Sequence, residues 1–275
     1  MKSTTRRSRS PSPLEVFLDP CLVTAPRARS ARLDPGDPFE IQRWISLGST
    51  RGRLFTAATG DPNPLHTRRR GVVPGAFLVA ECLASLEVFL PQLQPQRVKF
   101  SFTRVARYGQ RLEFVIRGVP TSGRVSATCR VLQAGEEVAR GTVVGEASDE
   151  PSRVDVAGAP EHLDDFCVAL GVTPGPFLER AGSGFPLSFL CALPSGQLVR
   201  ELDGEGGMLN RLTFEVSGER IALAETPRVE LGLPTRARAS FNRIAIEVHG
   251  GGACALSGAA LVLPGAAAPL RALAC

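Results

Sequence analysis

Two hydrophobic periods alternate along the chain. From Ala76 to Leu90 it reads AFLVAECLASLEVFL... with only Glu81, Ser85 and Glu87 polar before Leu90. A helix that is apolar on nearly every side has to be surrounded by protein, because a single docked face would leave the rest in water. After it the period drops to two: RVKFSFTRVA, RLEFVIRG, RVSATCRVLQ, a QAGEE turn, then EVARGTVVGEA. Within RVSATCRVL, Val125, Ala127, Cys129 and Val131 alternate with Ser126, Thr128 and Arg130, as in a half-buried strand. The pattern predicts an α+β unit in which an antiparallel sheet wraps one buried helix. A short helical stretch, Phe55 to Ala58, precedes that helix.

The plan then recurs. GFPLSFLCALPSGQLVREL reads as a second helical stretch, and LNRLTFEVSGERIAL, ARASFNRIAIEVHG and ACALSGAALVL follow as strands. The parallel lies in order and pattern, not in identities, and suggests two similar units packed side by side. The expected division is a basic, Ser/Pro-rich extension over 1–32, a first domain over 33–147, a polar linker over 148–160 and a second domain over 161–275. The extension has the composition of a disordered segment.

Composition narrows the class. With 43% hydrophobic and 21% charged residues the chain can bury a core. The longest apolar run, near Val72 to Ala80, is broken by Pro74 and Gly75 and is far shorter than the roughly 20 residues of a bilayer span. The N-terminal MKSTTRRSRSPSP has no apolar core of a secretory signal, so a cytoplasmic location is the default expectation. Seven cysteines, an odd number without CxxC spacing, read as reduced thiols with no metal site. The net charge of +5 is carried partly by Arg6, Arg7 and Arg9 and by Arg68, Arg69 and Arg70. No nucleic-acid-binding signature accompanies them. A solvated face explains these charges, as does a basic rim receiving a phosphate-bearing ligand or an acidic carrier.

Candidate chemistry is concentrated in TGDPNPLH, Thr59 to His66, followed by GVVPGAFL. An Asp or Asn beside Pro is ordinarily turn chemistry, and a single loop histidine ordinarily bonds to backbone. Here Asp61 and His66 are joined by a segment in which Pro62 and Pro64 each fix a backbone φ. A glycine, Gly75, then heads the apolar helix, where a backbone N–H faces outward at the positive helix end. His162 and His249 have no motif around them and read as surface or structural residues; no serine or cysteine shows a nucleophile signature.

TGDPNPLH with the Gly-headed helix resembles the hydratase motif of the MaoC-like enoyl-thioester hydratases and β-hydroxyacyl-thioester dehydratases. The motif-level resemblance covers about residues 33 to 147; the second half resembles the family in strand pattern alone. It implies a double hot dog, each half a long central helix wrapped by a curled antiparallel sheet. It also implies a hydro-lyase interconverting trans-2-enoyl and 3-hydroxyacyl thioesters. Asp61 and His66 would grip the water or hydroxyl, the Gly75 N–H would donate to the thioester oxygen, and Asn63 would support the loop. No cofactor is implied beyond the coenzyme A or phosphopantetheine thioester that carries the substrate, and Arg68, Arg69 and Arg70 are candidate contacts to its phosphates. The partner would be acyl-CoA or an acyl carrier protein, with no membrane and no nucleic acid, and a homodimer is compatible with the arrangement. Where the family has His-Gly-Met, this chain has Pro74-Gly75-Ala76.

Glu81 falls one residue late for the related dehydratases that carry a carboxylate on the central helix, and a polar contact at the sheet edge is expected of it. The second half lacks an Asp-x-x-x-x-His pair ahead of its helix, so one active site per chain is expected. The FPLSFLCAL helix, with Phe185 and Phe189, would line an enlarged acyl tunnel. The competing reading is a non-catalytic acyl-thioester-binding or scaffold subunit; a weaker one is an accessory protein tethered by its basic tail to nucleic acid or an anionic surface.

Overall fold

The computed structural model describes residues 36–67, 71–147, 160–181, 184–201, 208–238 and 240–263. The extension over 1–32, most of the linker, and Arg68, Arg69 and Arg70 lie outside the described residues.

The first half runs β1 (Phe39–Ser46), α1 (Ser49–Thr59), a 3-10 turn (Pro64–His66), α2 (Gly75–Phe89), then β2 (Leu93–Phe102), β3 (Arg111–Thr121), β4 (Arg124–Gln133) and β5 (Glu136–Ala147). The second half runs α3 (Glu161–Leu170), α4 (Pro174–Ala181), α5 (Leu187–Ala192) and α6 (Pro194–Glu201). Its strands are β6 (Met208–Val216), β7 (Arg228–Leu231), β8 (Thr235–Arg238), β9 (Phe241–Gly250) and β10 (Ala253–Leu263). All ten strands join one antiparallel sheet in the order β1-β3-β4-β5-β2-β6-β10-β9-β7, with β8 on β9. The halves meet where β2 pairs with β6, Arg97 opposite Glu215 through Ser101 opposite Arg211.

The apolar run does form the surrounded helix: every residue of α2 from Ala76 to Leu86 is buried, with Phe77, Val79, Ala80 and Cys82 wholly inaccessible. Alternation likewise places Val125, Ala127, Cys129 and Val131 of β4 at zero exposure. The β4–β5 turn takes Ala134 and Gly135 at φ +52 and +81, the left-handed pair that matches hairpin twist.

The sequence pattern did not indicate α3 and α4, and the second helical stretch is broken. Pro194 has no N–H to give to a continuous helix and starts a separate one, so α5 ends at Ala192 and α6 begins at Pro194. The expected strand over 209–223 stops at Val216, and β7 and β8 are short pieces flanking β9.

Glu81 differs from expectation too. It is completely buried, and its Oε1 lies 2.5 Å from Nη1 of Arg43, itself buried on the edge strand β1. The sheet-edge partner was right in kind, but the contact is made inside the core. Arg43 also donates to Ser85 Oγ at 3.1 Å. Burial raises the Glu81 carboxyl, opposed by the Arg43 charge.

The two halves are related by local detail that residue identities barely reveal. Gly60 (φ +65) and Gly171 (φ +70) stop α1 and α3 in the left-handed conformation. In each, the next two N–H groups bond back identically: Gly60 to Ala57 O and Asp61 to Thr56 O, Gly171 to Val168 O and Val172 to Cys167 O. Five residues before each glycine is a buried phenylalanine, Phe55 or Phe166, packed edge-on against Phe77 (5.2 Å) or Phe189 (5.1 Å). Phe55 and Phe166 meet each other at 5.7 Å, at the centre of the pair. Pro74 and Pro186 precede α2 and α5 with nearly equal angles, φ −57 and ψ 135 against φ −56 and ψ 140. PGAFL and PLSFL are thus equivalent segments.

Candidate active site

Asp61 owes its place to the way α1 ends. Its N–H closes the last turn on Thr56 O at 2.8 Å, which fixes its backbone just beyond the left-handed Gly60. Its Oδ1 accepts from Asn63 N at 2.9 Å, and Asn63 Oδ1 accepts from Leu65 N at 3.1 Å, capping the 3-10 turn that carries His66. Asn63 therefore braces the loop from inside. Val72 N donates to Leu65 O and Val73 N to Ala106 O, tying the far side of the loop to the segment after β2.

His66 Nδ1 lies 2.7 Å from Val72 O. A carbonyl only accepts, so a neutral imidazole keeps its proton on Nδ1 and presents a lone pair at Nε2. That Nε2 lies 3.8 Å from Asp61 Oδ2, with both side chains almost wholly shielded, 11% and 0% exposed. The separation is too long for a good direct hydrogen bond and suits one oxygen held between them.

Gly75 stands at the N-terminus of α2, where its N–H has no intrahelical acceptor. A Cβ there would come within 3.2 Å of the Phe102 ring and 3.4 Å of Leu209. Asn63, His66 and Gly75 all line one pocket of about 110 Å³. The rest of its wall is mostly apolar and comes from both halves, with Leu78, Leu198, Leu209 and Leu212 prominent. Phe185 and Phe189 are not in that wall; their rings stack on each other at 5.5 Å and on His162. Of the FPLSFLCAL helix only Cys191 reaches the pocket, and burial pushes its thiol well above the usual range, which keeps it protonated and unreactive.

Two residues of the site had no signal in the sequence. Ser195, second residue of α6, donates from Oγ to Asp61 Oδ2 at 2.8 Å across 134 residues of chain. It reaches because Gly196 lets α6 sit directly on the end of α1: a Cβ at Gly196 would lie 2.4 Å from Gly60 O. Arg200 reinforces the contact, its Nη2 donating to Gly60 O at 2.9 Å. Tyr108, the only tyrosine, has a buried hydroxyl raised by burial and then by the charge of Asp61. Gly52 makes space for it, since a Cβ there would lie 1.9 Å from the hydroxyl oxygen.

In the second half the equivalent positions are Val172 for Asp61 and Leu187 for Gly75. The N–H of Leu187 is already taken, by Oε1 of Glu87 at 2.7 Å.

No family model matches the sequence, and no curated protein matches it. The comparison of folds is decisive. A solved MaoC-like dehydratase superposes with a TM-score of 0.61, covering 85% of this chain and 99% of its own, at 13% identity. The chain has a double hot-dog fold. A Mycobacterium tuberculosis protein described as a double hot dog superposes on it with a TM-score of 0.60 at 11% identity, covering 84% of this chain and 96% of that one. So does a protein from Novosphingobium aromaticivorans assigned as a thioesterase, with a TM-score of 0.54 at 13% identity over 81% and 94%. Within this double hot dog the candidate site lies where the first half meets α6 and β6 of the second.

Proposed function

We propose that the protein is a MaoC-like hydro-lyase that adds water to, or removes it from, the α,β bond of an acyl thioester. The observation that carries this is the Asp61–His66 pair, facing across 3.8 Å, with His66 and the Gly75 helix terminus lining one largely apolar pocket and Asp61 buried behind them. In dehydration one member of the pair takes the proton from the carbon next to the carbonyl. The other protonates the leaving hydroxyl, and the Gly75 N–H stabilises charge on the thioester oxygen. In hydration the roles reverse. Ser195 donates to Oδ2, the same oxygen that faces His66, while Asn63 N–H holds Oδ1, so the carboxylate is fixed at both oxygens.

The substrate is a CoA or carrier-protein thioester, and the apolar wall suits its acyl chain. Loss of the enoyl-thioester ultraviolet absorbance with a trans-2-enoyl-CoA, followed in parallel with thiol release, tests the assignment. Hydration without thiol release is the expected result. Thiol release would make the protein a thioesterase, and silence on CoA and carrier-bound substrates of several lengths would make it a binding subunit.

A further inference from the structure

The outer face of the second half carries a group of side chains that this chemistry does not use. β9 and β10 are joined through Gly251 and Gly252, at φ +56 and +89. Two consecutive left-handed residues make a tight hairpin turn, and a bulge between Cys254 and Leu256 follows the first two pairs. Gly250 lies opposite Ala253 and His249 opposite Cys254. Glu247, two residues before His249 on the same strand, points to the same face. A carboxylate, an imidazole and a thiol are brought together in this way, with one ligand atom from each lying within 4.8 Å of the others. His249 Nε2 is already 3.1 Å from Glu247 Oε2.

Charge on the neighbouring strand points the same way. Glu230 of β7 lies directly opposite Glu247 in register, and like charges paired across strands destabilise a sheet unless a counter-ion intervenes. Arg228, opposite His249 on the edge strand β7, is exposed, and its long side chain can extend into solvent.

We propose that Glu247, His249 and Cys254 form a binding site for one divalent cation of the zinc class. Thiolate, imidazole and carboxylate are the donors such an ion takes, at about 2.0–2.3 Å, leaving a fourth position for water or for Glu230. Small side-chain rotations close the present spacing to that geometry. On binding, Cys254 loses its proton to solvent as the sulfur–metal bond forms, and His249 coordinates through its Nε2 lone pair with its proton on Nδ1; nothing is oxidised or reduced. The ion neutralises the carboxylates and staples β9 to β10 on the face away from the pocket.

The test is titration of the full chain, freed of metal by chelation, with Co²⁺ as a spectroscopic probe. One equivalent should produce a near-ultraviolet thiolate-to-cobalt charge-transfer band with visible d–d bands, and Zn²⁺ should erase both. Cys254→Ser should abolish the charge-transfer band. His249→Ala and Glu247→Gln should each weaken binding by at least about 10- to 100-fold, since even outer partners of a metal site cost that much. Circular dichroism of the metal-free variants should match the parent, because the three side chains are at the surface. A parent that gives no charge-transfer band, or a band that survives Cys254→Ser, would overturn the proposal.

Discussion

The two halves of the molecule keep the same scaffold and divide everything else. Both end their first helix on a left-handed glycine with the same pair of closing bonds, and both place an edge-on phenylalanine pair in the core. Pro74 before α2 and Pro186 before α5 also take nearly equal backbone angles. At the positions where chemistry would occur they part: Asp61 against Val172, and Gly75 against Leu187. Packing constrains both halves because each must fill its share of a common core, whereas one proton-handling pair is enough for one pocket. The second half contributes by position. It supplies Ser195 and much of the pocket wall, and its own helix end at Leu187 is closed by Glu87 of the first half.

The sharpest way to break the comparison is to give the first half the residues of the second. Asp61→Val should cost about 10²–10⁴-fold in turnover, the usual worth of a positioned acid or base. His66→Ala should do the same, in the enoyl-thioester absorbance assay. Retained activity in either would remove the pair from the chemistry. Gly75→Leu should cost about 10²–10³-fold, the worth of an oxyanion donor. Its Cβ also has only 3.2 Å to the Phe102 ring.

Glu87 sharpens the comparison through pH. Burial lifts its carboxyl from 4.5 to about 7, against the opposing hydrogen bonds of Ser188 and Leu187. The folded state therefore binds this proton more tightly than the unfolded one. Its contribution is fully present below about pH 4.5 and is lost as pH rises towards about 7, a decline of at most about 3 kcal/mol. Glu87→Gln should flatten that decline in denaturant melts taken across the window. An unchanged slope would mean that the carboxylate is solvated as the helix cap. The smallest effect is expected for Ser195→Ala, which removes one hydrogen bond to a charged group, about 1–2 kcal/mol or roughly tenfold in turnover. The melting temperature should hardly move, and a loss of stability in place of activity would make Ser195 a packing residue.

The sequence by itself determined what depends on neighbours along the chain. The apolar run of α2 could only be a surrounded helix, alternation fixed which side of β4 faces inward, and the two prolines with Asn63 shaped the loop that carries Asp61 and His66. Local pattern could not place α3 or the break at Pro194, because the second half mixes short helices whose faces are set by what they pack on. Nor could it show that PLSFL repeats PGAFL, since Gly75, which heads α2, is replaced by Leu187 in α5. Tertiary structure alone decided the long-range meetings. Ser195 reaches Asp61 across 134 residues, Arg43 reaches Glu81 inside the core, and hairpin register sets Cys254 opposite His249. Each of these contacts depends on how two distant backbones approach, and that approach is fixed by the shared core and the continuous sheet.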